Sequence, residues 1–293
     1  MKNPARTYSK SRASASFATR AYPSRTDAIT SLRSLDPRGT GYHLSRTMAT
    51  DKRVSRSAGL YNERFYAAKN EGSYRSAMVV LPIVLSLVKP HSVVDVGCGT
   101  GTWLRAAEEL GVDNYRGYDG SQSSQLCIPR ERFAVADLTR PLQPSRRFDL
   151  ALCCEVGEHL PADSAQTLIA SLAAFSDVVL YSAAIPGQGG THHVNEQWPA
   201  YWQALFRAQG YSAYDCIRAG IWNDDRVEFW YRQNTVLYVA DSAASRFALP
   251  AKTEEVLALV HPALYESQRR KKVLKTFLRN TKQSLARITG RQG

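Results

Sequence analysis

The chain has 293 residues, 44% of them hydrophobic, and a formal net charge of +12, so it can build one large core with flanking segments or two small ones. Its longest apolar run, Ala77 to Val88, is broken by Pro82 and is shorter than the roughly 20 residues of a membrane-crossing helix, so no transmembrane segment is expected. The five cysteines (Cys98, Cys127, Cys153, Cys154, Cys216) have no zinc or iron–sulfur spacing and no apolar signal-peptide core precedes them, which fits a reducing cytoplasm.

Residues 1–60 carry 12 Lys+Arg against 3 Asp+Glu, are rich in Ser, Thr and Ala, and have no periodicity. They read as a basic, disordered extension. The same composition resembles an organelle transit peptide, and Met48 offers a later start. A catalytic domain is expected over 61–245, and a helical, basic tail over 246–293. The stretch 61–267 is net acidic, so the basic balance belongs to the ends and does not make the body a nucleic-acid binder.

Within the domain, Tyr61–Lys89 reads as a helix stopped by Pro90. Ser92–Val96 is a β-branched strand, followed by a glycine turn and a helix to Leu110. Strands are then expected at Tyr115–Tyr118, Phe133–Ala136, Phe148–Cys154 and Asp177–Ser182, with a helix at Ala162–Phe175. A helix over Glu196–Gln209 and strands at Tyr211–Ile217 and Glu228–Ala240 complete the pattern. Alternation of this kind predicts a doubly wound α/β fold: a mostly parallel, seven-stranded sheet with helices on both faces. Residues 268–289 form a basic amphipathic helix with Val273, Phe277, Leu278, Leu285 and Ile288 as its apolar positions. Such a helix either lies on an anionic membrane or packs on the domain.

The strongest signal is Val93-Val-Asp-Val-Gly-Cys-Gly-Thr-Gly101. Glycines at alternate positions let the backbone turn sharply after a strand and approach a ligand closely. The helix that follows offers unpaired N–H groups to it. The spacing differs from the Gly-x-Gly-x-x-Gly of dinucleotide sites.

This run resembles the first motif of the Rossmann-like, S-adenosylmethionine (SAM)-dependent methyltransferases, and the resemblance extends over about residues 73–240. It implies that Asp95, Gly97, Cys98, Gly99 and Gly101 line the methionine and ribose side of the cofactor. It implies ribose contact by Asp119 and adenine contact by Asp137 with Leu138. Glu155, in the loop after the fourth strand, would face the cofactor crevice. From the residues alone, Asp119 and Asp137 are also good turn formers, and Glu155 can cap its loop. The Glu155-Val-Gly-Glu-His159 stretch matches a Glu-x-x-Glu-His loop frequent in that family. It lacks the Asn/Asp-Pro-Pro-aromatic sequence of base-amine methylation. Cys153 and Cys154 end an apolar strand and read as buried small hydrophobes.

A second constellation follows the fifth strand. Glycines at 187, 189 and 190 precede His192, His193, Asn195 and Glu196, then Trp198, Tyr201 and Trp202. The His-Val-Asn-Glu-Gln-Trp run is shared with uncharacterised methyltransferase-like proteins. His193, His192 and Glu196 are the candidate catalytic residues, because an imidazole suits removal of a hydroxyl proton and aromatic faces suit a small-molecule or saccharide acceptor. Alternatively Asn195 caps the helix, and Trp198 and Trp202 pack as core. His159 is a second candidate base. No metal site is expected, since adjacent histidines in an extended loop point apart and no third ligand has suitable spacing. RNA, gripped by the basic ends, is the alternative acceptor, and a SAM-binding scaffold without turnover is the alternative class. In the 222–232 segment, Asp224, Asp225, Arg226 and Arg232 either meet the acceptor or pair with each other.

Overall fold

The computed structural model describes residues 52–121 and 125–289, with side chains described for 70–121, 125–279 and 281. The expectation for residues 1–51 lies outside these, as do the side chains of Leu285 and Ile288. The strands are β1 Ser92–Val96, β2 Asn114–Asp119, β3 Phe133–Val135, β4 Leu150–Cys154, β5 Val178–Ser182, β6 Tyr211–Tyr214 and β7 Val236–Ala240. The helices are α1 Lys52–Val88, α2 Thr102–Glu109, α3 Ala165–Phe175, α4 Pro199–Ala208, α5 Arg218–Ile221, α6 Phe229–Asn234 and α7 Pro262–Thr289. The strands form one seven-stranded sheet in the order β3-β2-β1-β4-β5-β7-β6. All neighbours are parallel except β7, which runs antiparallel to β5 and β6.

Period-two alternation puts a core on each face of the sheet. On one face Val93, Leu150, Leu152, Leu180 and Leu237 meet Leu81 and Val84 of α1, Leu104 of α2 and Tyr231 of α6. On the other, Val94, Ala151, Cys153, Tyr181 and Tyr238 meet Leu168 and Leu172 of α3 and Trp202 and Phe206 of α4. The Phe206 ring stacks flat on Tyr238, with centroids 3.9 Å apart. Strands β1, β5 and β7 are buried at every position because both faces are covered. Asn70–Val88 is long and apolar enough to cross a membrane by composition, beyond what the sequence suggested. Its Ala77, Val80, Leu81 and Val84 are nonetheless fully buried in the domain core.

Four expectations are corrected. Helix α1 begins at Lys52, ahead of Tyr61. The strand expected at Glu228–Ala240 is half helix: the Glu228 carbonyl accepts the N–H groups of Tyr231 and Arg232, and α6 buries Tyr231, Gln233 and Asn234. Its aromatic residues have high strand propensity, but tertiary packing against α2 overrides it. Strand β6 ends at Tyr214 because the Asp215 N–H donates to Thr253 Oγ1 and its carboxylate pairs with Arg218. Helix α4 starts at Pro199, not Glu196, so its N-cap is Trp198 rather than Asn195. Trp198 is 43% exposed, and only Trp202 joins the core.

Residues 246–264 cover the sheet edge: Thr253 bridges to Ala213, and Val256 and Leu264 are buried. Beyond this anchor, α7 shows Val273, Leu274, Phe277 and Leu278 to solvent.

The order of strands reverses about β1, between β2 and β4. In open α/β sheets the crevice at the carboxyl ends beside such a reversal is the ligand site. The turn after β1 and the loop after β4 meet there.

Candidate active site

Gly97 and Gly99 both adopt left-handed backbone, with φ of 88° and 55°. A Cβ on Gly97 would stand 2.3 Å from Val156 Cγ2, so glycine is required for the β4 loop to pack on the turn. At Gly99 no atom lies within 4 Å of the Cβ position, which leaves the backbone open to a ligand. Asp119, at the end of β2, accepts the Gly99 N–H at 2.8 Å through Oδ2 and the Ser121 N–H and hydroxyl through Oδ1. It therefore both shapes its own turn and ties it to the glycine turn. Asp95 is 3% exposed at this junction. Burial, reinforced by the Asp119 carboxylate, pushes its pKa up to about 8.

Other residues expected at the cofactor sit differently. The Cys98 side chain packs under the turn among the core residues beside Gly117, and burial pushes its thiol pKa far up. The Cys98 backbone N–H donates to the Tyr118 carbonyl, and its carbonyl accepts the Gly101 N–H. Asp137 accepts the Thr139 N–H and hydroxyl and pairs with Arg140, interactions that hold its pKa below the usual range. Its carboxylate thus caps the turn after β3, with Leu138 buried next to it.

Glu155 follows β4 in left-handed backbone, φ 56°, a strained conformation for a side-chain-bearing residue. Its carboxylate accepts from Gln188 Nε2 at 3.0 Å and Asn234 Nδ2 at 3.1 Å. Gln233 and Asn234 both donate to Gln188 Oε1. Burial raises the Glu155 pKa, while Asn234, Gln188 and Ser182 pull it back. These three amides were not singled out in the sequence. They sit on α6 and the glycine-rich loop, and no local spacing connects them. Gln268 of α7 adds a clasp, donating to the Gly187 and Gln188 carbonyls.

The glycine-rich loop is knotted by Glu196. Its carboxylate accepts the Gly187 and Gly189 N–H groups at 2.8 and 2.7 Å and contacts His193 Nδ1 at 2.9 Å. Burial raises its pKa, but His193, Gly189 and Gly187 more than offset that, so the net shift is downward. Glu196 is thus an orienting group. His192 is exposed, with φ 60°, and its carbonyl rather than its ring turns inward, toward His159 Nδ1 at 3.4 Å. Of the three expected catalytic residues, the fold brings His193 and Glu196 together and leaves the His192 ring outside.

His193 instead meets residues of the β4 loop. The Val194 and Asn195 N–H groups donate to the Glu158 carbonyl, which lays the loop along Gly157–His159. The His159 and His193 rings contact edge to face at 4.9 Å. Glu158, His159 and His193 each direct a ligand-type atom to within 4.8 Å of the others. Glu158 is completely buried, and among the described residues neither carboxylate oxygen has a well-formed hydrogen bond, although the Glu155 carboxyl and the Ala184 backbone act on it. Burial, with the charge of Glu155, raises its pKa to about 9. In the 222–232 segment Arg226 pairs with Asp224 and Arg232 with Asp225.

A family model described as a methyltransferase domain matches residues 66–215. Among solved structures, DesVI of Streptomyces venezuelae is similar at 16% identity, covering 63% of this chain and 98% of that one, with a TM-score of 0.46. The methyltransferase domain of bacterial CtHen1 is similar at 22% identity over 57% of this chain and 98% of that one, with a TM-score of 0.42. Magnesium protoporphyrin IX methyltransferase of Synechocystis PCC 6803, solved with S-adenosylhomocysteine (SAH), is similar at 19% identity over 58% and 84%, with a TM-score of 0.41. No curated protein matches the chain. With the glycine turn and its family model covering half of the chain, the protein belongs to the SAM-dependent methyltransferase-domain family, and it is an enzyme that takes SAM as its cofactor.

Proposed function

We propose that this protein transfers the SAM methyl group to a hydroxyl, or another heteroatom, of a small-molecule or saccharide acceptor in the cytoplasm. The observation that carries the reading is the convergence of Glu158, His159 and His193 at the β4 loop, whose Val156 packs on the glycine turn. Methyl transfer is an in-line displacement at a carbon already activated by the sulfonium, so the protein mainly supplies alignment and a place for the acceptor's proton to leave. In this reading the backbone of Gly97–Gly101 and Asp95 hold the methionine end, and Asp119 takes the ribose hydroxyls. Leu138 flanks the adenine beside Asp137, and Glu155 with its three amides walls the crevice. The acceptor oxygen meets the Glu158–His159–His193 cluster, whose rings Glu196 and the His192 carbonyl hold in place.

The test is transfer of labelled methyl from SAM to a panel of hydroxylated small molecules, free saccharides and RNA. The reading predicts label in one of the first two groups, lost in His193→Ala. Label confined to RNA contradicts the acceptor class, and SAM binding with no transfer to any acceptor favours a scaffold.

A second reading concerns α7. We infer that its solvent-facing Val273, Leu274, Phe277 and Leu278, set among Arg269, Arg270, Lys271, Lys272, Lys275 and Arg279, rest on an anionic lipid surface. An apolar row of this kind has no use against RNA phosphates. Co-sedimentation with phosphatidylserine vesicles, lost when 268–293 are removed, supports it. Equal recovery with and without the tail, or binding to RNA instead, contradicts it.

A further inference from the structure

We propose that Glu158, His159 and His193 form a divalent-cation site, and that the bound ion holds and activates the acceptor oxygen. The second part rests on the methyl-transfer reading above; the first does not. Nothing in a methyl-transfer crevice requires a buried carboxyl whose two oxygens find no well-formed hydrogen bond among the described residues, yet Glu158 is in that state, with the Glu155 carboxyl and the Ala184 backbone close enough to act on it. Buried polar side chains are nearly always hydrogen-bonded, and one left without a partner calls for a specific occupant. Here two imidazoles face it, one from the same turn and one from a loop fastened to that turn through the Glu158 carbonyl.

The imidazoles are set as metal ligands are. His193 has Nδ1 against the Glu196 carboxylate, and His159 has Nδ1 against the His192 carbonyl. Each partner accepts from Nδ1, which fixes the tautomer with the proton there and the lone pair on Nε2. The ring of His193 packs closely on residue 190: a Cβ there would lie 2.1 Å from His193 Nε2, so a side chain at 190 would displace the ring. Ligand bonds to ions such as zinc are about 2.0–2.2 Å, so donors around a tetrahedral ion stand about 3.4 Å apart. Donor atoms within 4.8 Å of one another reach that arrangement when the side chains close in on the ion. Glu155, three residues before Glu158 and bonded to Gln188 and Asn234, is a further carboxylate whose charge acts on Glu158. Two nitrogens with one or two carboxylates suit Mn²⁺, Co²⁺ or Zn²⁺ better than Mg²⁺, which prefers oxygen alone.

Three protein ligands leave a coordination position for an acceptor hydroxyl. Bound there, the hydroxyl releases its proton to solvent. Its oxygen then bonds to the SAM methyl carbon as the carbon–sulfur bond breaks, and the pair stays on sulfur, giving the methyl ether and neutral SAH. No oxidant or further reactant enters.

The test is calorimetric titration of chelator-treated full-length protein with MnCl₂, CoCl₂ and ZnCl₂, with the visible spectrum of the Co²⁺ form and SAH binding measured on the same samples. One ion per chain is expected, with a Co²⁺ spectrum of mixed nitrogen–oxygen ligation. Glu158→Gln and His193→Ala are expected to weaken it at least about a hundredfold while SAH still binds. Glu196→Gln, which removes the carboxylate behind His193, is expected to weaken it by about tenfold or more. Where Glu158→Gln fails to fold, His159→Ala reads the same quantity. Absence of ion binding to protein that binds SAH overturns the proposal, as does binding that the ligand substitutions leave unchanged. Ion binding without SAH binding leaves the site standing and removes its role in methyl transfer.

Discussion

Gly99 donates its N–H to Asp119 Oδ2 at 2.8 Å, joining the turn after β1 to the end of β2. At Gly99 no atom lies within 4 Å of the Cβ position, so the bond anchors a stretch of backbone that is open to a ligand. Asp119→Ala removes this tie and the carboxylate offered to a ribose. Because the group is partly solvated, the cost to stability is about 1 kcal/mol. SAH affinity is expected to fall by tenfold or more, measured by calorimetry, with the melting temperature nearly unchanged.

Gly97→Ala attacks the same turn through sterics. The residue has φ 88°, and the new methyl would meet Val156 Cγ2 at 2.3 Å. The backbone penalty of about 1–2 kcal/mol adds to overpacking of about 1–3 kcal/mol. Urea unfolding is expected to show a loss of a few kcal/mol, partly recovered in the double variant with Val156→Ala.

Asp95 gives a pH signature. Its folded pKa is raised to about 8, against about 3.9 in an unfolded chain. Between those values the folded state holds the proton more tightly than the unfolded state, so the group's contribution to stability falls as pH rises from about 4 to 8. Asp95→Asn carries no such dependence. The difference in melting temperature, variant minus wild type, is expected to grow from pH 5 to pH 8; a constant difference contradicts the assignment.

Arg218 is 2% exposed, donates twice to Asp215, and also donates to the Gln233 and Leu257 carbonyls. It joins the end of β6, the end of α6 and the segment leading into α7. Arg218→Ala strands a partly buried carboxylate and two carbonyls, and a loss of about 3–5 kcal/mol is expected in chemical denaturation. Arg218→Lys is expected to recover only part, since a single ammonium cannot reproduce the planar fork.

Much of this architecture is legible in the residues. Val93–Val96 with its alternate glycines places the crevice, and the spacing to Asp119 places the second strand's end. The strand Leu150–Cys154 is apolar throughout because both of its faces are covered. What escaped has physical reasons. The aromatic run Phe229–Tyr231 carries strand propensity, and only packing of Tyr231 on Trp103 makes it helical. Gln188 and the Gln233–Asn234 pair meet through a loop and a helix far apart in sequence. His193 and His192 look equivalent in sequence; the left-handed backbone at His192 and the Glu196 bond at His193 separate them. Glu158 and His159 lack ligand spacing to His193, and the contact exists because two loop N–H groups lie on the Glu158 carbonyl.

The most direct test of the central claim is titration of the folded chain with SAM and SAH, followed by crystallography of the SAH complex. One molecule per chain is predicted, its ribose at Asp119 and its methionine along Gly97–Gly101. A folded protein that takes up neither at millimolar concentration, or an SAH bound away from that bend, contradicts the account.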